Sequence, residues 1–196
     1  MHINTGKGSA DVADVWASFL KGDEEAYSCI IRKFARPLFN YGIRFSSDRD
    51  LIKDCIQDVF FDLWNKRDRI SETSYVQAYL FKSIRHRIIR EKSKWEQMES
   101  LENVPFLGEF NIETKIIEEQ SNREINDRIA RVFNSLPQRQ KEIVYLRFYE
   151  NLGHDKICTI MGLTRQSVYN LLQKALHKMR KEWVTVALYS FFYLYR

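Results

Sequence analysis

Residues 154–173 satisfy a set of demands that few chains meet by chance. Two short helices that cross steeply through a three-residue turn need particular side chains at a few positions. The first helix needs a small residue where the second crosses it, and Cys158 stands there, where alanine is more usual. The turn needs a residue that accepts positive φ, and Gly162 follows four positions later. The second helix needs a β-branched or similar apolar anchor, supplied by Val168. Ile157, Met161, Leu163 and Leu171 complete the small core, and Thr164 is placed to cap the second helix. The segment therefore reads as a helix-turn-helix, a motif whose second helix enters the major groove of duplex DNA.

The rest of the chain is compatible with helices and little else. Only 7 glycines and 3 prolines punctuate 196 residues, too few for many short strands and their turns. A formal charge of +5 permits nucleic acid or an anionic surface without requiring either. The 3 cysteines, Cys29, Cys55 and Cys158, are widely spaced and form no CxxC pair. That excludes a disulfide framework and fits a reducing cytosol. His154 and Cys158 lie four apart but have no further ligand nearby, so no metal is expected. The N-terminus carries no apolar signal segment. The apolar stretch from Val184 to Tyr195 is shorter than the roughly twenty residues of a bilayer span, so it is expected to pack rather than anchor.

Hydrophobic spacing divides the chain into two small helical domains joined by an acidic linker. The first domain, residues 10–94, contains four helices. One runs from Asp11 to about Leu20, and Gly22 ends it. A second is capped by Asp23 and carries Ile30, Phe34 and Leu38, with Pro37 expected to disturb it. A third is capped by Ser47 or Asp48, and a fourth runs from about Ser74 to Ser93. Residues 95–120 contain seven glutamates and one lysine, interrupted by Pro105 and Gly108, and read as a solvated linker. The second domain, residues 121–182, opens with a helix marked by Ile125, Ile129, Val132 and Phe133. A further helix is expected to be capped by Ser135, with Gln138 closing a capping box, and to reach about Tyr149. Residues 183–196 form the apolar tail.

Three surfaces carry chemistry. On the second helix of the motif, Arg165, Gln166, Ser167, Tyr169, Asn170 and Lys174 face outward. Arginine and amide side chains pair bidentately with base edges, while Lys174, Lys178, Arg180 and Lys181 suit phosphates. Residues 80–94 hold Lys82, Arg85, Arg87, Arg90, Lys92 and Lys94 against the single acid Glu91, with Tyr75, Tyr79, Phe81 and Trp95 within or beside them. Cations interleaved with aromatics suit a melted strand whose bases stack on rings. The segment from Asp50 to Trp64 is amphipathic with an acid-and-amide polar face.

At that segment the chain resembles region 2.2 of bacterial RNA polymerase sigma factors, in the small extracytoplasmic-function (ECF) group of the sigma-70 family. FLKGDEEAYSCIIRKF resembles the opening of region 2, and YVQAYLFKSIRHRIIREK its promoter-melting and −10-reading part. The stretch from Ser135 to Lys181 resembles region 4, which reads the −35 element. The resemblance implies that Asp54, Gln57, Asp58 and Phe61 face the β′ clamp helices of core polymerase, with the β flap as a second contact. It implies that Tyr79, Lys82, Arg85, His86 and Arg90 hold the opened −10 strand, and that Arg165, Gln166, Ser167, Asn170 and Lys174 grip the −35 duplex. The acidic linker resembles the connector that passes near the polymerase active centre, and an anti-sigma partner is implied too. His86 departs from the asparagine common in the family, Cys158 from alanine, and the tail extends beyond the usual end.

A stand-alone helix-turn-helix repressor or activator is the alternative, but it leaves the 50–64 face without a use. An enzyme would need an acid cluster, nucleophile–base pair or phosphate loop, none of which is visible. No catalytic residue, cofactor or small-molecule substrate is expected, and the protein is expected in the cytoplasm.

Overall fold

The computed structural model describes residues 12–70, 75–96, 106 and 130–194. Every regular element among them is helical. Helix α1 spans Val12–Leu20 and closes at Gly22, whose φ of +89° is open to glycine at little steric cost. The Asp23 carboxylate then accepts hydrogen bonds from the backbone N–H groups of Glu25 and Ala26, starting α2 (Glu24–Gly42). Pro37 lies inside α2, which continues past it to Gly42. Proline removes the donor for the Lys33 carbonyl, and Lys33 lies on the exposed side, where water can replace it. Asp48, rather than Ser47, caps α3 (Arg49–Asn65) through the N–H groups of Asp50 and Leu51. A 3-10 turn at Arg67–Arg69 follows, and α4 spans Val76–Glu96.

Helices α1–α4 enclose Trp16, Phe19, Leu38, Ile52, Leu63, Leu80, Ile84 and Ile88. Gly42 lies where α2 meets α3 and α4. A Cβ there would stand 2.7 Å from Ile52 Cγ2, so the glycine sets how closely the helices approach. The Tyr27 hydroxyl donates to the Phe60 carbonyl at 2.8 Å, tying α2 to α3 beside the packed rings of Phe19 and Trp64.

The described part of the second unit opens with a helical segment at 130–134, while Ile125 and Ile129 of the expected helix lie outside the described residues. Ser135 does not cap the next helix. Its N–H bonds back to Arg131 and Val132, so it closes the preceding segment instead. The new helix α5 (Gln138–Val144) takes Pro137 as its N-terminal flank, where a missing N–H costs nothing. Gln138, freed from the capping box, accepts the Phe106 N–H at 2.9 Å. From Tyr145 to Tyr149 the helix widens into a π-helical turn. Helices α6 (His154–Met161) and α7 (Arg165–Leu194) complete the unit.

Two further expectations are modified. The backbone of α7 runs without a break into the apolar tail, so residue 183 is not a boundary in the chain path. How the tail packs lies outside the described residues. Among the described residues no helix is long and apolar enough to cross a membrane. The acidic linker lies outside the described residues except for Phe106, which is buried rather than solvated. Its ring sits 5.1 Å from that of Phe45 and 5.8 Å from that of Tyr145. It thereby joins the two units, whose buried residues form one continuous core.

Candidate nucleic-acid interface

The helix-turn-helix closes as its residue types dictate. Ile157, Ile160, Met161, Val168, Leu172 and Ala175 are buried between α6 and α7, with Cys158, Leu163 and Leu171 packed at the edge. Ile160, Leu172 and Ala175 extend the set anticipated from spacing. Gly162 occupies the left-handed region at φ +65°, ψ +37°, and an added Cβ would touch nothing. Glycine is thus required there by backbone conformation, not by space. Thr164 Oγ1 accepts the Ser167 N–H at 3.2 Å and caps α7.

The outward face of α7 carries Arg165, Gln166, Tyr169, Asn170 and Lys174, all exposed, with Ser167 half-buried beside the cap. No acid stands in the first turn of α7. Gln166 Nε2 donates to Asn170 Oδ1 at 2.9 Å, aligning two amides along one ridge. Arg165 forks onto Asp155 of α6, with Nε and Nη2 at 3.1 and 2.9 Å from its two carboxylate oxygens. This exposed pair adds little stability but holds the guanidinium beside Asp155.

Helix α3 presents a second face. Asp54, Gln57, Asp58 and Phe61 follow the i, i+3, i+4, i+7 spacing and form one exposed stripe. Phe61 is 65% exposed, an unusual state for a large ring. Beside it, between α2 and α3, lies an apolar groove of about 550 Å³ lined by Tyr27, Ile31, Ala35, Phe39, Ile56 and Phe60. Asp58 is held from below by Arg87 Nη1 at 3.0 Å, and Arg87 also pairs with Asp62.

The cation-rich stretch of α4 divides in two. Tyr79, Ser83, His86 and Arg90 line an open hollow of about 450 Å³ with Asp62 and Lys66 of α3. Trp16 packs edge-on against the half-buried Tyr79 ring at 5.8 Å, fixing its angle. Burial, then the charges of Arg85 and Lys82, hold the His86 imidazole below its ordinary pKa. It is therefore mainly neutral at physiological pH and presents one donor and one acceptor. Arg85 and Lys92 differ from this group. Lys92 is buried and donates to the Phe45 carbonyl at 3.0 Å. Arg85 is buried and paired with Glu142 of α5. Tyr79, His86 and Arg90, grouped by the resemblance, line one hollow, but nothing in the sequence pointed to Glu142 or Tyr41, which share the contact with Arg85.

Residues 30–96 match Sigma-70 region 2, and residues 126–179 match Sigma-70, region 4. The two regions occur in the family's order and together span well over half of the chain. This chain belongs to the sigma-70 family. Its curated relatives narrow the placement to the ECF group of RNA polymerase sigma factors. They include the ECF RNA polymerase sigma factor RpoE of Cereibacter sphaeroides, 24% identical over 81% of this chain and 87% of that protein. The RNA polymerase sigma-E factor of Streptomyces avermitilis is 24% identical over 66% of this chain and 69% of that protein. Two solved structures share the fold. CnrH, determined with the cytosolic domain of CnrY, superposes with a TM-score of 0.58 at 16% identity, covering 87% of this chain and 96% of that one. RpoE of Bartonella quintana, determined with the anti-sigma factor NepR, gives 0.53 at 18% identity, covering 78% and 92%.

Proposed function

We propose that the protein binds core RNA polymerase through α3, directs it to a subset of promoters through α7, and helps hold opened DNA on α4. The observation that carries this reading is the exposed α3 stripe of Asp54, Gln57, Asp58 and Phe61 beside an apolar groove, on a chain that also has a complete helix-turn-helix. A stand-alone regulator has no use for that stripe. In this reading the β′ clamp helices receive Phe61 and the acid-and-amide face, and the β flap meets the second unit. Tyr79, Lys82, Arg85, His86 and Arg90 serve the −10 strand. The hollow beside Tyr79 offers a ring for stacking and a neutral imidazole for a base edge. Arg165, Gln166, Ser167, Asn170 and Lys174 serve the −35 duplex. The protein performs no reaction of its own, acts in the cytoplasm, and is restrained by an anti-sigma factor, as CnrH and RpoE are paired with CnrY and NepR.

Two short half-sites bind weakly alone, and polymerase fixes their spacing so that the second contact becomes intramolecular. The test is therefore made on the holoenzyme. Arg165→Ala is expected to relax preference at a single −35 position by about 1–3 kcal/mol in binding to a panel of substituted duplexes. A uniform loss across the panel would instead make Arg165 a phosphate contact and remove it from base reading.

A further inference from the structure

The two helical units meet through a buried polar contact. Arg85 of α4 donates through Nε to Glu142 Oε1 at 2.7 Å and through Nη2 to Oε2 at 3.3 Å. The Tyr41 hydroxyl of α2 donates to the same Oε1 at 2.6 Å. Tyr41 is fully buried, and the side chains of Arg85 and Glu142 are only 8% and 4% exposed. The rings of Phe45, Phe81, Phe106 and Tyr145 surround Tyr41, with centroids 5.0–6.3 Å away. Beyond this contact, Thr159 of α6 stands across a hollow from Lys82 and His86, so the helix-turn-helix overhangs the cationic face of α4.

We propose that Tyr41, Arg85 and Glu142 form a latch that holds the free protein closed, and that Arg85 reaches nucleic acid only after the two units part. The Glu142 carboxylate takes the place of a phosphate. Each presents two oxygens to the planar guanidinium fork and can satisfy the same pair of N–H groups. A buried ion pair suits a contact that must open. On separation both charges regain water, so closure is less binding than an apolar seam of the same area. Opening leaves the helices of each unit intact, because the chain joining them is the linker, of which Phe106 must be withdrawn from the seam.

The closure itself is independent of the role proposed for α4, and only its consequence rests on that role. Small-angle scattering of the free full-length protein tests closure without DNA. Glu142→Arg sets two guanidiniums face to face and is expected to raise the radius of gyration while helicity is unchanged. Adding Arg85→Glu is expected to restore the compact profile. A Glu142→Arg protein as compact as wild type would overturn the latch. Should Glu142→Arg lose helicity, the milder pair Tyr41→Phe with Glu142→Gln decides. Its binding to a labelled mixed-sequence single strand of about twenty nucleotides, without polymerase, is expected to tighten about tenfold as the open population grows. Unchanged affinity with an unchanged scattering profile would overturn the latch. An opened profile with unchanged affinity would uphold it and remove α4 from strand binding.

Discussion

Trp16→Ala is expected to lower the unfolding free energy by about 3–5 kcal/mol, the usual loss when a large buried ring is truncated. Trp16 is 1% exposed and packs against Phe19 at 5.1 Å and Tyr79 at 5.8 Å. Its indole N–H has no hydrogen-bond partner among the described residues, so the loss comes from the cavity and not from a broken bond. Denaturant unfolding followed by circular dichroism measures the change. In the proposed reading the substitution also reaches function through geometry, because the Tyr79 ring, assigned there to the −10 strand, loses its edge contact with Trp16. A loss below about 1 kcal/mol would show that α1 is an ornament on the core and not a part of it.

The second large effect concerns a residue whose removal leaves the fold almost untouched. Phe61 is 65% exposed on α3, so Phe61→Ala exchanges little buried area within the protein. At an interface, an aromatic anchor of this kind carries about 2 kcal/mol or more, which is roughly a thirtyfold loss of affinity for core polymerase. Asp58→Ala is expected to act in the same direction by less. Asp58 is 59% exposed, and after its removal Arg87 keeps Asp62 as a partner. Charged groups at a rim act chiefly on association rate and salt dependence. Titration of labelled protein with core polymerase separates the two. Equal affinities for wild type and Phe61→Ala would take the clamp contact away from this face.

The helices were legible because their signals are local. Asp23 and Asp48 cap within three residues, Gly162 needs only its own φ, and the apolar spacing of α3 reports one face directly. The exposed stripe from Asp54 to Phe61 follows from that same spacing. What escaped the sequence was set at long range. Arg85 and Glu142 are 57 residues apart, and each looks like a surface charge until the other is known. Phe106 sits in an acidic run whose composition gives no hint that its ring is buried. Ser135 and Gln138 have the spacing of a capping box. Yet Pro137 can begin a helix without a donor, and this moved the start two residues onward. Six cations in residues 80–94 suggested one nucleic-acid surface. In the closed protein Arg85 is held by Glu142, while Arg87, Lys92 and Lys94 are engaged by Asp62, the Phe45 carbonyl and Glu91. That leaves Lys82 and Arg90 beside His86 as the cationic part of the face until Arg85 is released.

The central claim is that this chain confers promoter choice on a polymerase that lacks it. Run-off transcription with purified core RNA polymerase, on templates selected from genomic fragments bound by the holoenzyme, tests it most directly. Addition of the protein is expected to yield discrete transcripts with a defined start, absent with core enzyme alone and lost when α7 carries Arg165→Ala together with Lys174→Ala. Core polymerase that is active on nicked or tailed templates, yet produces no defined start in the presence of this protein, would contradict the account.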